Sequence, residues 1–172
     1  MASREINNKI NSAKYQVLLS ETLTSIITSL KSANSESTVA SIFENELYYF
    51  LKSYFSKEII FFKESGESFL RHKFTGRIDA ISNGLIIEYK ALDKLNKEND
   101  KDKAIGQVKD YLTQIYNETG DSLQALLTNG KKLCYFYFVG EEIKQTPFKS
   151  IDIKDIDRIV KTLLEVGTKQ FD

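Results

Sequence analysis

The chain has 172 residues, of which 41% are hydrophobic and 28% are charged, so it is long enough to fold around its own core. Its 24 basic and 24 acidic residues cancel, which argues against a protein that coats nucleic acid with a general positive surface. The single cysteine, Cys134, excludes an intramolecular disulfide and any cysteine-based zinc site. We expect one globular domain over residues 1–172, with Cys134 as a buried thiol.

The sequence contains no apolar run long enough to cross a membrane and no signal peptide before its first helical pattern. We therefore expect a cytoplasmic protein with no membrane partner. No clear stop signal closes the last segment. The chain is therefore also interpretable as the N-terminal module of a longer polypeptide, whose other domains would be its partners.

Two helices are predicted first. Apolar residues recur at helical spacing over residues 3–31, and again over residues 38–55 after a serine-rich linker in which Ser35 or Ser37 can cap the second helix. Glu46 falls within the apolar stripe of that second helix, and Glu44 lies at its edge. A carboxylate on a core-facing side needs a partner, so we take Glu46 first and Glu44 second as candidate site residues. The alternative leaves Glu46 at a solvated margin.

Residues 57–63 and 69–74 are predicted to be strands that lead into a hairpin over residues 76–90. The dipeptide Asn83-Gly84 is typical of a two-residue hairpin turn, because both central residues of that turn need a positive φ. This turn pairs Ser82 with Leu85 and Asp79 with Glu88. Alternation along the strand then places Lys90 on the face of Glu88 and turns Tyr89 the other way.

Two directly opposed carboxylates, Asp79 and Glu88, repel each other unless something between them reverses the interaction. A hard divalent cation such as Mg²⁺ does so, because it prefers oxygen ligands and commonly takes one or two carboxylates together with a phosphate. Lys90, two residues along the same face, is placed to hold a water molecule or a phosphoryl oxygen. The pattern therefore indicates metal-assisted hydrolysis of a phosphodiester.

The highly charged residues 92–103 are predicted to be a mobile surface loop, followed by a helix over residues 104–117. Gln107 and Tyr111 stand four residues apart on that helix and therefore share a face. Two strands and a final helix capped by Asp152 or Asp155 complete the chain, and their predicted ranges are residues 123–127, 133–139 and 151–166. This order of elements, α-α-β-β-β-α-β-β-α, predicts an α/β fold with a mixed sheet and helices on its faces.

Asp79, followed after eight residues by Glu88-x-Lys90, resembles the core motif of the PD-(D/E)XK nuclease superfamily. Residues 76–79 read Gly-Arg-Ile-Asp and are similar to the G-x-x-D form found in RecB-like nucleases, with Ile78 in place of the usual proline. Gln107 and Tyr111 are similar to the Q-x-x-x-Y motif that follows the hairpin in the same nucleases. The pattern also resembles the nuclease modules at the N-terminus of single-polypeptide restriction-modification enzymes.

The resemblance implies a restriction-endonuclease-like αβββαβ core with an extra N-terminal helix. It also implies a Mg²⁺-dependent DNA endonuclease in which Mn²⁺ can substitute, and which acts as a homodimer where it cuts both strands. The implied metal ligands are Asp79, Glu88, the carbonyl of Tyr89 and Glu46. Lys90 would orient the attacking water, and Gln107 would position that water or a phosphate.

Two other interpretations remain open. One is a catalytically inactive nuclease-fold module that binds nucleic acid or serves assembly. The other is a structural domain in which Asp79 and Glu88 pair with Lys90 and Arg77.

Overall fold

A computed structural model describes residues 2–61, 80–82 and 84–166 of the chain. Its α-helices in this part are α1 (Ala2–Ile10), α2 (Ala13–Ser29), α3 (Glu36–Phe55), α4 (Glu98–Thr119) and α5 (Ile153–Leu163). A short 3-10 helix, Leu30–Ser32, follows α2. None of the described helices is long and apolar enough to cross a membrane.

The described strands form one mixed sheet. They are β1 (Ala80–Ser82), β2 (Leu85–Tyr89), β3 (Gln124–Thr128), β4 (Lys132–Val139), β5 (Glu142–Gln145) and β6 (Lys149–Ser150). The strand order is β1-β2-β3-β4-β5, and β6 pairs with β4. Strands β2 and β3 are parallel and are connected through α4, whereas the other pairs are antiparallel. The predicted mixed α/β architecture is thereby confirmed.

A hydrophobic core lies on each face of the sheet. Leu85, Ile87 and Tyr89 of β2 belong to the core formed with α2, α3 and α5. Ile86, which points the other way, belongs to the core formed with α4. All five residues of β2 are buried, as expected for a parallel strand that is covered on both sides. The side chain of Tyr89 faces α3, and the alternation of side chains along the strand is as predicted.

The hairpin between β1 and β2 has the predicted register, with Ala80 opposite Ile87 and Ser82 opposite Leu85. Gly84 has a φ of +78°, which a glycine adopts at little cost in a tight hairpin turn. Asp79 and Asn83 lie outside the described residues. The same is true of residues 62–78, which include the predicted strand over residues 69–74 and the basic residue Arg77.

The prediction of a single helix over residues 3–31 is wrong, because the chain breaks between α1 and α2. Ser12 begins α2 as its N-cap, and its Oγ accepts a hydrogen bond from the Tyr15 amide at 3.2 Å. The same Oγ lies 2.8 Å from the hydroxyl of Tyr54 on α3. The apolar spacing continues across the break, so periodicity alone did not reveal it. Ser35, one of the two predicted caps, begins α3 in the same manner.

The prediction of a strand over residues 57–63 is wrong for its described part, residues 57–61, which belong to no strand. Helix α3 ends at Phe55, and the φ of +55° at the following residue, Ser56, turns the chain away from the helix axis. Ile59 and Phe61 then pack at the margin of the core on the α3 side. Alternating apolar residues here reflect partial burial against helices rather than pairing in a sheet.

The charged segment predicted to be a loop is partly helical, because α4 begins at Glu98 rather than at residue 104. Glu98 and Asp100 lie in its first turn, where negative charge is favoured by the helix dipole. Leu95, just before the helix, is fully buried and anchors the preceding turn. The segment is therefore tied down on one side and is not a free loop over its whole length.

The last helix, α5, is shorter at both ends than the predicted range of residues 151–166, and one of its two predicted caps is confirmed. Asp152 caps it through its side chain, and the Asp155 carboxylate accepts a hydrogen bond from the Asp152 amide at 2.8 Å, which completes a capping box. Strands β5 and β6 had no counterpart in the sequence prediction. Cys134 is buried within β4, as expected.

Candidate active site

Glu88 is the buried acidic residue at the centre of the candidate site. It lies near the carboxyl end of β2, and 1% of its surface is exposed. Its side chain points to the α4 face of the sheet, on the same side as Ile86. A carboxylate at such a depth is unfavourable unless it meets a cation or hydrogen-bond donors. The strand therefore presents Glu88 in a position that requires a charged neighbour.

Lys90 supplies one such neighbour. Its Nζ lies 2.6 Å from Glu88 Oε1, and 16% of the lysine side chain is exposed. Lys90 follows β2 directly, and its amide continues the strand pairing by donating to the carbonyl of Thr128 at 2.9 Å. The backbone is therefore still extended at Lys90, so the side chains of Glu88 and Lys90 lie on the same face. The Glu-x-Lys spacing therefore holds a carboxylate and an ammonium group together at the end of the strand.

Gln107 on α4 completes this group. Its Oε1 accepts a hydrogen bond from Lys90 Nζ at 3.4 Å, and its Nε2 donates to the Tyr111 hydroxyl at 2.5 Å. Tyr111 is buried one helical turn further along α4. The structure thus brings together Glu88, Lys90 and Gln107, three of the four residues predicted to be catalytic, although they come from two different elements.

The site lies where the two parallel strands end. Asn129, directly after β3, is 2% exposed, and its Nδ2 donates to the carbonyl of Leu92 in the segment after β2 at 2.9 Å. Its Oδ1 accepts from the amides of Lys131 and Lys132 at 3.0 and 2.8 Å. In α/β proteins, ligands bind outside the carboxyl ends of parallel strands, and Asn129 fixes the two chain segments that leave this edge.

Glu36 is a neighbour of the site that the sequence reasoning missed. It lies in the first turn of α3, and its Oε1 is 4.0 Å from Lys90 Nζ. Its side chain is 44% exposed, so this contact is at the solvent edge. An acidic residue directly after the Ser35 cap is a normal helix-start signal, and nothing in the local pattern distinguishes it as a site residue.

The two acidic candidates on α3 lie in different surroundings. Glu44 is 8% exposed and lies on the buried side of α3. Glu46 is about 160° away from Glu44 around the helix axis. Its Oε1 accepts a hydrogen bond from Ser25 Oγ of α2 at 2.7 Å, in the groove between α2 and α3. Glu44 is therefore the more deeply buried of the two acidic candidates, and Glu46 is engaged with α2.

In the predicted site, Tyr89 contributes only its backbone carbonyl. Its ring packs against α3, with its centroid 6.0 Å from that of Phe43, and the side chain is fully buried. The role assigned to its carbonyl as a metal ligand stays a prediction.

The described residues alone do not form a metal centre. Within residues 2–61, 80–82 and 84–166, no three His, Cys, Asp or Glu side chains cluster so that they could hold a metal ion. The predicted second ligand on the hairpin, Asp79, lies outside these ranges. Glu88 has the hard oxygen donor that Mg²⁺ prefers, so the donor type fits the ion, but the described part contributes an incomplete set.

A second Glu-x-Lys pattern in the chain gives a useful comparison. Glu142 and Lys144 on β5 also form an ion pair across one pleat. Glu142 is 75% exposed there, and the hydrogen bond from Lys144, together with its charge, lowers the pKa of the carboxyl. The short pattern thus occurs twice, and burial and the contact with Gln107 set the β2 copy apart.

No protein-family model matches this chain, and no curated protein or solved structure is found to be similar to it. The family resemblance of the hairpin and helix motifs therefore stays a prediction, and the case for a function depends on the geometry around Glu88.

Proposed function

We propose that the chain is a Mg²⁺-dependent deoxyribonuclease domain of the PD-(D/E)XK type. The observation that carries the proposal is the contact of Lys90 with both Glu88 and Gln107 at the carboxyl end of β2. These residues come from the two motifs whose order along the chain resembles that family. The β1-β2 hairpin, the α4 connection and the parallel strand β3 are compatible with a restriction-endonuclease-like core.

In this proposal Asp79 and Glu88 hold the metal with the carbonyl of Tyr89, and the fourth protein ligand is Glu44 rather than Glu46. The burial of Glu44, and the hydrogen bond that joins Glu46 to Ser25 in the α2–α3 groove, support Glu44. The bound ion would polarise the phosphate and lower the pKa of the attacking water. Mn²⁺ would serve in place of Mg²⁺.

Lys90 orients the attacking water and stabilises the negative charge that develops on the phosphoryl oxygens. Removal of one such preorganised donor typically lowers kcat by about 10²–10³-fold. Gln107 keeps the ammonium group in place, and Tyr111 in turn fixes the amide of Gln107. The substrate is DNA and the cell compartment is the cytoplasm. Sequence choice would come from other domains or partners, because the sequence has no recognisable base-reading motif and no net charge.

The decisive experiment measures nicking of supercoiled plasmid by the purified chain with Mg²⁺ or Mn²⁺. Glu88→Gln, Lys90→Met and Asp79→Asn are expected to reduce nicking by at least about 100-fold, since they remove direct ligands or the charge-stabilising donor. Glu142→Gln and Lys144→Met are the matched controls, because they alter the same three-residue pattern at an exposed position, and they should keep full activity. Nicking that survives Glu88→Gln would contradict the proposal.

Metal binding can be tested without activity. A metal that binds the folded state raises the midpoint of thermal unfolding by mass action. We expect Mn²⁺ to raise the midpoint of the wild type and to have little effect on Asp79→Asn. The absence of both nicking and a metal-dependent shift would overturn the proposal.

The inactive-module alternative is favoured by one observation, namely that the Lys90 ammonium lies 2.6 Å from Glu88 Oε1 and balances its charge. Such a module would bind DNA with the same affinity in the presence of EDTA and of Mg²⁺ and would not cleave it. A fluorescence anisotropy titration with a short duplex, run beside the plasmid assay, separates the two functions.

A further inference from the structure

The outer side of the α2–α3 helix pair carries a groove that the proposed nuclease site does not use. It has a volume of about 340 Å³, and Leu18 and Phe50 form part of its lining. The two helices are antiparallel, because Ser25 meets Glu46 at one end while the Lys14 ammonium lies 5.8 Å from the centre of the Tyr54 ring at the other. A groove between two antiparallel helices is a surface on which another helix packs readily.

Two apolar side chains project into solvent at this groove and beside it. Tyr49 on the α3 rim is 71% exposed, and Val17 on α2 is 56% exposed. A second depression of about 520 Å³ follows α2 past Val17 and shares Glu21 and Ser25 with the groove. Apolar side chains grouped around a concave surface with a polar rim are typical of a protein–protein contact.

The charges along α2 determine which partner fits. Lys14 and Glu21 are both exposed, and seven residues place them on one side of the helix about 10 Å apart. Within the described part of the chain, neither side chain forms an ion pair. The midpoint between them lies at Val17 and Leu18. A twofold axis through that midpoint turns one α2 antiparallel to another and sets each Lys14 against the other copy's Glu21.

We propose that a second copy of this chain docks on the α2–α3 face about such an axis. Val17 meets its own equivalent at the axis, the two Lys14–Glu21 pairs flank it, and Tyr49 packs at the edge of the opposing groove. The face is self-complementary in charge, which a twofold contact requires. None of these residues belongs to the proposed nuclease site, so this inference stands independently of the proposed function.

The expected dimer is weak. Helix α2 has 17 residues and is therefore about 25 Å long, and the helix pair is about 20 Å wide. Such a face buries roughly 500 Å² per copy, which lies below the usual area of a stable interface. Dissociation constants in the micromolar range follow for a contact of this kind, so association should depend on protein concentration.

The test is sedimentation equilibrium of the whole chain from about 5 to about 500 μM, a range that brackets the expected dissociation constant. The wild type should shift from monomer to dimer. Lys14→Glu and Glu21→Lys should each weaken association by about tenfold or more, because each turns two attractive pairs into repulsive ones. Both positions are exposed, so circular dichroism should stay unchanged. Lys144→Glu, at an exposed position on β5, is the control and should associate like the wild type.

The mixture of the two variants gives the sharpest result. In a heterodimer of Lys14→Glu with Glu21→Lys, both contacts again join opposite charges, so the equimolar mixture should associate like the wild type. A wild type that stays monomeric at every concentration would overturn the proposal. So would charge reversals without effect, or a mixture that fails to restore association. A monomer would instead leave this face to a protein of another kind.

Discussion

Glu88 and Glu142 occupy the same position of the same three-residue pattern, and their surroundings differ in almost every respect. The first is buried at the end of a central strand and the second is exposed near the edge of the sheet. An exposed ion pair contributes little to stability because water and salt screen it, whereas a buried carboxylate depends on its partner. Whether the pattern can take part in catalysis therefore depends on how deeply it is buried in the fold.

The choice between Glu44 and Glu46 leads to a prediction on one helix. Glu44→Gln should lower the apparent affinity for Mn²⁺ by about 10–100-fold, whereas Glu46→Gln should leave it unchanged. The measurement is the rise in thermal midpoint as a function of Mn²⁺ concentration. Each variant is the control for the other, since the two substitutions are chemically identical. A larger effect of Glu46→Gln would return the fourth ligand to the residue that the sequence favoured.

Cys134 gives a second prediction at this scale. Burial raises the pKa of its thiol to about 12, so the reactive thiolate is almost absent at pH 8. We expect native protein to react with a disulfide reagent on the order of 10³-fold more slowly than urea-unfolded protein, whose thiol has an ordinary pKa of about 8.5. Rapid labelling of the native chain at pH 8 would contradict the burial of this residue in β4.

Some of the site could be predicted from local sequence and some could not. Strand alternation was sufficient to put Glu88 and Lys90 on one face and Tyr89 on the other. Helical spacing was sufficient to pair Gln107 with Tyr111. Glu36, the neighbour contributed by α3, is near Lys90 because of how that helix lies against the end of β2. This placement is a tertiary property that the pattern of a single helix does not contain.

At the scale of elements, the turn between β3 and β4 depends on Gly130. Its φ is +82°, and a Cβ there would lie 2.6 Å from Leu30 Cδ1, which is in the core. Gly140 has a φ of +62° but open space around it. We expect Gly140→Ala to lower the free energy of unfolding by about 1 kcal/mol and Gly130→Ala to lower it by at least about 1 kcal/mol more. Urea denaturation measures both, and equal losses would show that Leu30 moves aside freely.

The cap of α5 makes stability depend on pH. Burial alone would raise the pKa of Asp152, but hydrogen bonds from Lys149 and from the Asp155 amide outweigh it and hold the pKa below its ordinary value. A depressed pKa stabilises the fold above the unfolded pKa, and this contribution is lost as the pH falls through the folded value. Asp152→Ala should therefore cost about 1 kcal/mol at pH 7 and less below about pH 4.

Urea denaturation at both pH values measures this difference. Glu141→Gln, in the exposed turn after β4, is the control and should change stability little at either pH. A loss from Asp152→Ala that stays the same at low pH would mean that the cap acts without its charge.

Elements with strong local signals were predictable. The Asn83-Gly84 dipeptide in the sequence was sufficient to predict the register of β1 and β2, and Ser35 marked the start of α3. The break at Ser12 was not found, because the apolar spacing runs through it and a hydrogen bond to Tyr54 on another helix helps to hold it. Strands β5 and β6 are short and lie beside β4, and their alternating or polar residues give a signal too weak to separate them from loops.

At the scale of the whole molecule, Asn129 links the exits of the two parallel strands. Asn129→Ala removes three hydrogen bonds at a buried position and should lower the free energy of unfolding by about 2 kcal/mol. If the proposed site is active, nicking should fall as well, since the segment after Lys90 is no longer held. Asn117→Ala, at an exposed position on α4, is the control and should affect neither quantity.

The parallel pairing of β2 with β3 has a consequence for how the molecule acquires its site. Every residue of β2 pairs with a residue 39 positions later in the chain, from Leu85 with Gln124 to Tyr89 with Thr128. A contact of such high sequence separation requires the closure of a long loop before it yields any stabilisation, so it forms late during refolding. Gln107 can be fixed beside Lys90 only after α4 has packed on the sheet and β3 has paired with β2. A newly synthesised chain would thus complete the hairpin early and the site last, and a partly folded chain would carry the two halves of the motif apart.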